Sequence, residues 1–382
     1  MQARPAFIPF NRFRQAGAEI EYIREAMESL HVSGDGPFTA RCQELLEQEL
    51  GAAKVLLTTS CTHALEMAAL LLDLKEGDEV VLPSFTFVST ANAFVLHGAR
   101  PVFADIRPDT LNLDESRLEE LVTPRTKAIV PVHYAGVGCE MEAVMAISGR
   151  NGIAVIEDNA HGLFGTYKAK QLGSFGALSA QSFHETKNFS CGEGGALVIN
   201  DAGYVERAEI VREKGTNRKR FFRGEVDKYT WVDVGSSYLP SDILAAILYA
   251  QLEQRDLIER ERRKIWDAYR RELSNWAGEN GVALPEAPAH CRHPAHLFYL
   301  VLPSGQDQAR FLAHMKQRNI LVVFHYQPLH LSEMGRRYGG KAGDCPVTES
   351  VSGRLVRLPF YRGLTEADME RVVEAVRAFR CG

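Results

Sequence analysis

Between residues 54 and 200, short unbroken apolar runs take turns with stretches whose apolar positions recur every three or four residues. The runs at 54–59, 79–83, 100–106, 128–134, 153–158, 178–183 and 195–200 have the length of strands. Most lack polar alternation, as strands covered on both faces do. The stretches between them at 62–74, 89–96, 115–121 and 140–148 predict helices. Strands alternating with helices predict a layered α/β domain with a mainly parallel sheet. Its last two strands follow one another without a helix between them.

Past about residue 205 the texture changes. A basic and aromatic stretch at 213–231 leads into long helical patterns over 241–275. Strand-like runs at 296–302 and 319–326, with helical patterns at 306–317 and 365–379, predict a second, smaller α+β unit. We place the boundary at 250, giving a large domain over 1–250 and a small C-terminal domain over 251–382. The 382 residues suffice for one large core and a satellite.

Composition narrows the classes of function. With 45% apolar and 24% charged residues the chain is globular rather than disordered. The 44 basic and 49 acidic residues leave no positive excess for a phosphate backbone, so no nucleic-acid partner is expected. The seven cysteines are scattered, odd in number and without a C-x-x-C pair, which fits reduced thiols in a cytoplasmic compartment. Pro5 and Pro9 interrupt the only apolar patch near the start, so no signal peptide is expected. No apolar run reaches the roughly 18 residues of a membrane span, so no membrane partner is expected either.

Ligands of open α/β sheets bind beyond the carboxyl ends of the strands, so the residues that follow each run are the ones to inspect. Run 153–158 ends in Glu157 and Asp158, with His161 close behind. Run 178–183 leads to Lys187, and Gly192-Glu193-Gly194-Gly195 returns the chain. Run 54–59 is followed by Ser60-Cys61-Thr62 at a helix start, where unpaired amides and hydroxyls suit an anion. Run 79–83 is followed by Phe85 and Phe87. Taken singly, these are an N-cap, a solvated lysine, ordinary caps and core aromatics. Together they describe one ligand, pyridoxal 5′-phosphate: an acid for its ring nitrogen, an aromatic for its face, a lysine for its carbonyl and a helix start for its phosphate. A lysine in that role needs an amine that is neutral well below the usual ~10.4.

The segment Ser182-Phe183-His184-Glu185-Thr186-Lys187, followed by Gly192-Glu193-Gly194-Gly195, resembles the lysine motif of the sugar-nucleotide aminotransferases of the DegT/StrS type. The resemblance covers nearly the whole chain. It includes Ser33-Gly34-Asp35-Gly36, the segment 83–93, Val132-His133-Tyr134-Ala135-Gly136, Glu157-Asp158, and Phe324-His325-Tyr326 with Pro328-Leu329-His330. The runs at 182–188, 213–218 and 235–242 are most similar to the dTDP-4-amino-4,6-dideoxygalactose transaminase branch. This implies the type I pyridoxal-phosphate fold and a homodimer with shared active sites. It also implies transamination from an amino acid, expected to be glutamate, to the C4 ketone of dTDP-4-keto-6-deoxyglucose, for a bacterial surface polysaccharide.

Carried over by residue, the resemblance implies that Lys187 binds the cofactor covalently and moves the substrate proton. Asp158 pairs with the ring nitrogen, His161 approaches the phenolic oxygen and Phe87 stacks on the ring. Cys61 through its backbone, Thr62 and Ser182 hold the phosphate, and Ser237 comes from the partner subunit's loop. The chain departs from the wider family where Ser237 and Leu239 replace an Asn and an Arg, and where His161 replaces a frequent Gln. Related sugar dehydratases carry His at the position of Lys187, so lysine favours transamination.

His325, Tyr326 and His330 are candidates for the sugar pocket, with a structural role as the alternative. The basic cluster Arg218, Lys219, Arg220, Arg223 and Lys228 is either a solvated face or a pyrophosphate contact. His290, His293 and His296 have a metal-like spacing, but Pro294 breaks any helix there and no metal is expected. No arginine stands out for the donor's carboxylates. The alternatives are amination at C3 or of another nucleotide keto sugar, and a non-catalytic regulator on the same fold.

Overall fold

The computed structural model describes residues 6–382, so Pro5 of the opening segment lies outside the described residues. The strands β1 (Lys54–Thr58), β2 (Glu79–Pro83), β3 (Arg100–Ala104), β4 (Thr126–Ile129), β5 (Ala154–Asp158), β6 (Leu178–Ser182) and β7 (Gly195–Ile199) form one sheet in the order β1-β7-β6-β5-β4-β2-β3. Pairing is parallel from β6 through β5, β4 and β2 to β3, and β7 runs antiparallel to both β6 and β1. The carboxyl ends of β1, β2, β4, β5 and β6 and the amino end of β7 therefore share one edge. The loops singled out after β1, β2, β5 and β6 leave from that edge.

Local chemistry sets where the elements stop. The run expected over 128–134 is a strand only to Ile129, because Pro131 has no N–H to donate to the ladder. The chain then makes a single bridge from Val132 to Asp158 and turns through Ala135 and Gly136 at positive φ. The helical stretch expected over 241–275 divides at Gln254, where ψ of 24° leaves the helical range, into helices Asp242–Glu253 and Arg255–Glu279. In the second helix Ile258, Arg262, Ile265, Tyr269, Leu273 and Trp276 are buried at intervals of three and four. The run expected over 319–326 keeps only two residues as a strand, since Ile320 bridges Ile8 instead.

The C-terminal part carries a three-stranded antiparallel sheet of β8 (Tyr299–Val301), β9 (Val323–Phe324) and β10 (Leu355–Arg357), with β10 in the centre. Helices Gly305–Gln317 and Glu366–Arg377 complete this unit. Its core joins Ile8 to Tyr269, Phe298, Phe311, Val356 and Phe379. A separate apolar cluster links Phe85 and Tyr134 of the large sheet's edge to Leu297, Tyr299 and Leu355. Burying each such side chain contributes roughly 1.5–3 kcal/mol, so this seam holds the small sheet against the edge where the functional loops emerge. Among the described residues no helix is long and apolar enough to cross a membrane, and all seven cysteines are free thiols.

Candidate active site

Beyond β6 the chain folds back on itself. Phe183 donates its amide to Gly194 O at 2.8 Å, Glu185 to Gly192 O at 2.8 Å, and Lys187 to His184 O at 2.9 Å. This compact loop turns Lys187 inward. Burial of the ammonium lowers its pKa from the usual 10.5 to about 8. The nearby charge of Arg357 pushes the same way, while Asp158 opposes it.

Asp158 closes β5 and is buried. Thr90 Oγ1 donates to its Oδ2 at 2.7 Å and the Ala160 amide to its Oδ1 at 3.2 Å. Thr90 is itself held by Thr86 at 2.8 Å. The adjacent Glu157 has another task. Strand alternation turns it to the opposite face, where it accepts the amides of Gly173, Phe175 and Gly176 at 2.7–2.8 Å and His133 Nε2 at 2.9 Å. The Cys139 amide donates to His133 Nδ1, so the Nε2 proton is the one given to Glu157. Glu157 is an internal brace, and Asp158 faces the loops.

The helix Cys61–Leu71 begins where β1 ends. Ser60 Oγ accepts the His63 amide at 3.1 Å, while the amides of Cys61 and Thr62 lie in the first turn, where a helix supplies no partner. Gly195 lets β7 reach this turn: a Cβ there would lie 2.3 Å from Ser60 C and 2.4 Å from Cys61 N. Ser182 is the register partner of Gly195, so it stands beside the helix start. Thr62 Oγ1 donates to Ser89 Oγ at 2.9 Å. Burial holds the Cys61 thiol well above its ordinary pKa, leaving it neutral.

Aromatic rings line the other side. Phe87 is 57% exposed, 6.3 Å from Tyr326. Tyr326 meets buried Phe85 edge-on at 5.6 Å. His161 stacks on His296 with 4.2 Å between centroids and lies 6.1 Å from His325, whose Nδ1 is hydrogen-bonded to the Tyr134 hydroxyl at 2.9 Å. Burial, followed by the charges of Lys187 and Arg357, lowers the His161 pKa well below 6.5, so the ring is neutral. Its Nδ1 is buried without a hydrogen-bond partner among the described residues.

The structure thus gathers Lys187, Asp158, Cys61, Thr62, Ser182, Phe87, His161, His325 and Tyr326 around one edge of the sheet. His330 stands apart from them. It is fully buried, with Nδ1 2.6 Å from Ser84 Oγ and Nε2 3.0 Å from Glu349 Oε1, so both ring nitrogens are engaged in tying the loop after β9 to the exit of β2. Ser237 is exposed on a loop bridged to Glu213. In the basic stretch, Arg218, Lys219, Arg220 and Arg223 pair with Glu213, Asp35, Glu206 and Glu209. His290 meets Glu140, His293 meets Arg263 and His296 stacks on His161. Among the described residues no group of three or more His, Cys, Asp or Glu could hold a metal ion.

Sequence reasoning missed Thr90, His296 and Arg357. Only the fold brings these to the site, although an arginine inside the apolar run Leu355-Val356-Arg357-Leu358 was a visible irregularity. The residues present fit a phosphorylated pyridine aldehyde. A helix start cleared by a glycine suits the phosphate, a buried carboxylate the ring nitrogen, the unpartnered His161 Nδ1 a ring oxygen, and a lysine of lowered pKa the carbonyl.

Residues 14–377 match the model of the DegT/DnrJ/EryC1/StrS aminotransferase family. The spore coat polysaccharide biosynthesis protein SpsC of Bacillus subtilis is 32% identical over 385 residues, covering 99% of this chain and 98% of that protein. The crystal structure of the aminotransferase TlmJ from Streptoalloteichus hindustanus superposes with a TM-score of 0.90 at 29% identity, covering 98% of each chain. PseC of Helicobacter pylori, an aminotransferase of pseudoaminic acid biosynthesis, superposes with a TM-score of 0.88 at 25% identity, covering 97% of this chain and 98% of that one.

Proposed function

The chain belongs to the DegT/DnrJ/EryC1/StrS aminotransferase family, and from that premise we propose that it transfers the amino group of L-glutamate to C4 of dTDP-4-keto-6-deoxyglucose. The products are dTDP-4-amino-4,6-dideoxygalactose and 2-oxoglutarate. The enzyme is a pyridoxal-phosphate-dependent sugar aminotransferase; its exact sugar, its cytoplasmic location and its action as a homodimer with Ser237 reaching the neighbouring site are our reading. The observation that carries the transaminase chemistry is Lys187, with an amine of lowered pKa, within electrostatic reach of the Asp158 carboxylate. The choice of sugar is supported by the sequence runs at 182–188, 213–218 and 235–242.

When bound, the cofactor supplies an electron sink that lets a proton leave the substrate carbon. The chain's own residues do the rest. Asp158, fixed by Thr90 and the Ala160 amide, would keep the ring nitrogen protonated. Lys187, partly neutral near pH 8, would hold the cofactor at its carbonyl and carry the substrate proton. The Cys61 and Thr62 amides with Ser182 would hold the phosphate, and Phe87 would cover the ring. His325 and Tyr326 would line the sugar side, where burial lowers the His325 pKa and keeps its ring neutral.

Incubation with glutamate and dTDP-4-keto-6-deoxyglucose, followed by NMR of the product, tests the assignment. An axial amine at C4 is expected. An amine at C3, or turnover only with a different keto sugar, would replace the substrate. No amino-group exchange with any amino acid despite bound cofactor would return the non-catalytic reading.

A further inference from the structure

Arg357 ends β10, the central strand of the small sheet, where it is in register with both Tyr299 and Val323. From there its charge is within electrostatic reach of Lys187, His161, His325, Tyr134 and Tyr326. Its contacts within the chain are meagre. One Nη2–H reaches Phe324 O at 3.4 Å, the guanidinium sits 4.6 Å above the Phe10 ring, and Nε is buried with no hydrogen-bond partner among the described residues. Among the described residues no carboxylate lies within ion-pair distance of it.

Two sunken arginines show how this fold compensates such a charge with an anion, and a third shows it done by carbonyls. Arg212 pairs with Asp35 at 2.8 Å and Arg362 with Glu261 at 2.9 Å, while Arg262 donates to the carbonyls of Ala295 and His296. The Arg357 guanidinium is half withdrawn from water, with its Nε sealed off and no anion to meet it, which is an unfavourable place for a charge. The neighbouring histidines cannot help, being neutral bases without negative charge. A cation kept in so unfavourable a place has its anion supplied from outside the chain.

We infer that Arg357 receives the α-carboxylate of the amino donor and so selects an amino acid over other amines. The inference rests on the aminotransferase reading and adds to it the residue that reads the donor. The α-carboxylate is attached to the carbon whose nitrogen reacts, so it must lie near Lys187, within whose electrostatic reach Arg357 stands. The phosphate-binding helix start is built separately, from residues 60–62 beside Gly195. A planar guanidinium can grip a carboxylate through two parallel hydrogen bonds, which also orients the reacting carbon.

The test is the donor half-reaction of the holoenzyme, followed by the cofactor's absorbance with glutamate and no sugar present. For Arg357→Gln the half-saturating glutamate concentration should rise about 100-fold or more, with Arg357→Lys intermediate because it keeps the charge and loses the fork. The KM for the nucleotide sugar should stay within about twofold. Discrimination between glutamate and 4-aminobutyrate, which lacks the α-carboxylate, should shrink by a similar factor in Arg357→Gln. The melting temperature of that variant should stay level or rise, because a half-buried charge without an ion-pair partner has been removed. Unchanged glutamate dependence, an effect confined to the nucleotide sugar, or a large drop in melting temperature would each overturn the role. A wrong sugar assignment leaves the half-reaction intact, whereas a wild-type enzyme unresponsive to every amino acid would sink both readings.

Discussion

The pKa of about 8 at Lys187 makes the apoenzyme's reaction with pyridoxal phosphate a sharp probe of the site. Only the neutral amine attacks the aldehyde. At pH 7.5 a group titrating at 8 is neutral in about a quarter of molecules, against ~0.1% for an ordinary lysine, a difference of roughly 200-fold. Stopped-flow measurement of covalent cofactor attachment from pH 6 to 10 should therefore show its inflection near 8. Asp158→Asn removes a nearby negative charge and should move the inflection down; Arg357→Gln removes a positive charge and should move it up. Linkage gives an independent check. The native pKa lies below that of the unfolded chain, so the lysine lowers stability below pH 8 and this penalty disappears as pH rises from about 8 to 10.5. Lys187→Met should accordingly stabilise the apoenzyme by roughly 1–3 kcal/mol at pH 7, after discounting for partial exposure, and by almost nothing above pH 10.5. An inflection at 10 or higher, or a pH-independent effect of Lys187→Met, would refute the burial on which this depends.

Three further outcomes follow from the geometry. Gly195→Ala places a methyl against the Ser60–Cys61 peptide; it should cost about 1–3 kcal/mol in chemical denaturation and weaken cofactor binding measured by fluorescence titration. His330→Ala removes the ring that bridges Ser84 and Glu349 at the joint between the two sheets, leaves a cavity there and should lower stability by about 2–3 kcal/mol. Its turnover per folded enzyme should stay close to wild type, and a large loss of kcat without loss of stability would show that His330 acts on substrate. Glu157→Gln presents an amide where four donors converge and should destabilise by about 2–4 kcal/mol in urea titrations, more than its neutral, isosteric character suggests.

Much of this protein is written locally. Unbroken apolar runs can be satisfied only as strands covered on both faces, so β1, β2 and β5 to β7 are legible to within a residue or two. Because ligands collect at strand carboxyl ends, the placement of Asp158 and Lys187 at one edge of the sheet was legible as well. What a sequence read along its length does not contain is the pairing of distant groups. Glu157 and Asp158 are equivalent neighbours until strand alternation sends one to a nest of amides and the other to the loops. His330 reads as a pocket residue beside His325 and Tyr326, yet its ring meets Ser84, 246 residues away. Arg357 is one arginine among many until β10 lowers it among neutral rings with no carboxylate to meet. Covalent neighbours and hydrophobic period decide which elements form; charge compensation is a property of three-dimensional surroundings, and only the folded chain shows where it is complete and where it waits for a ligand.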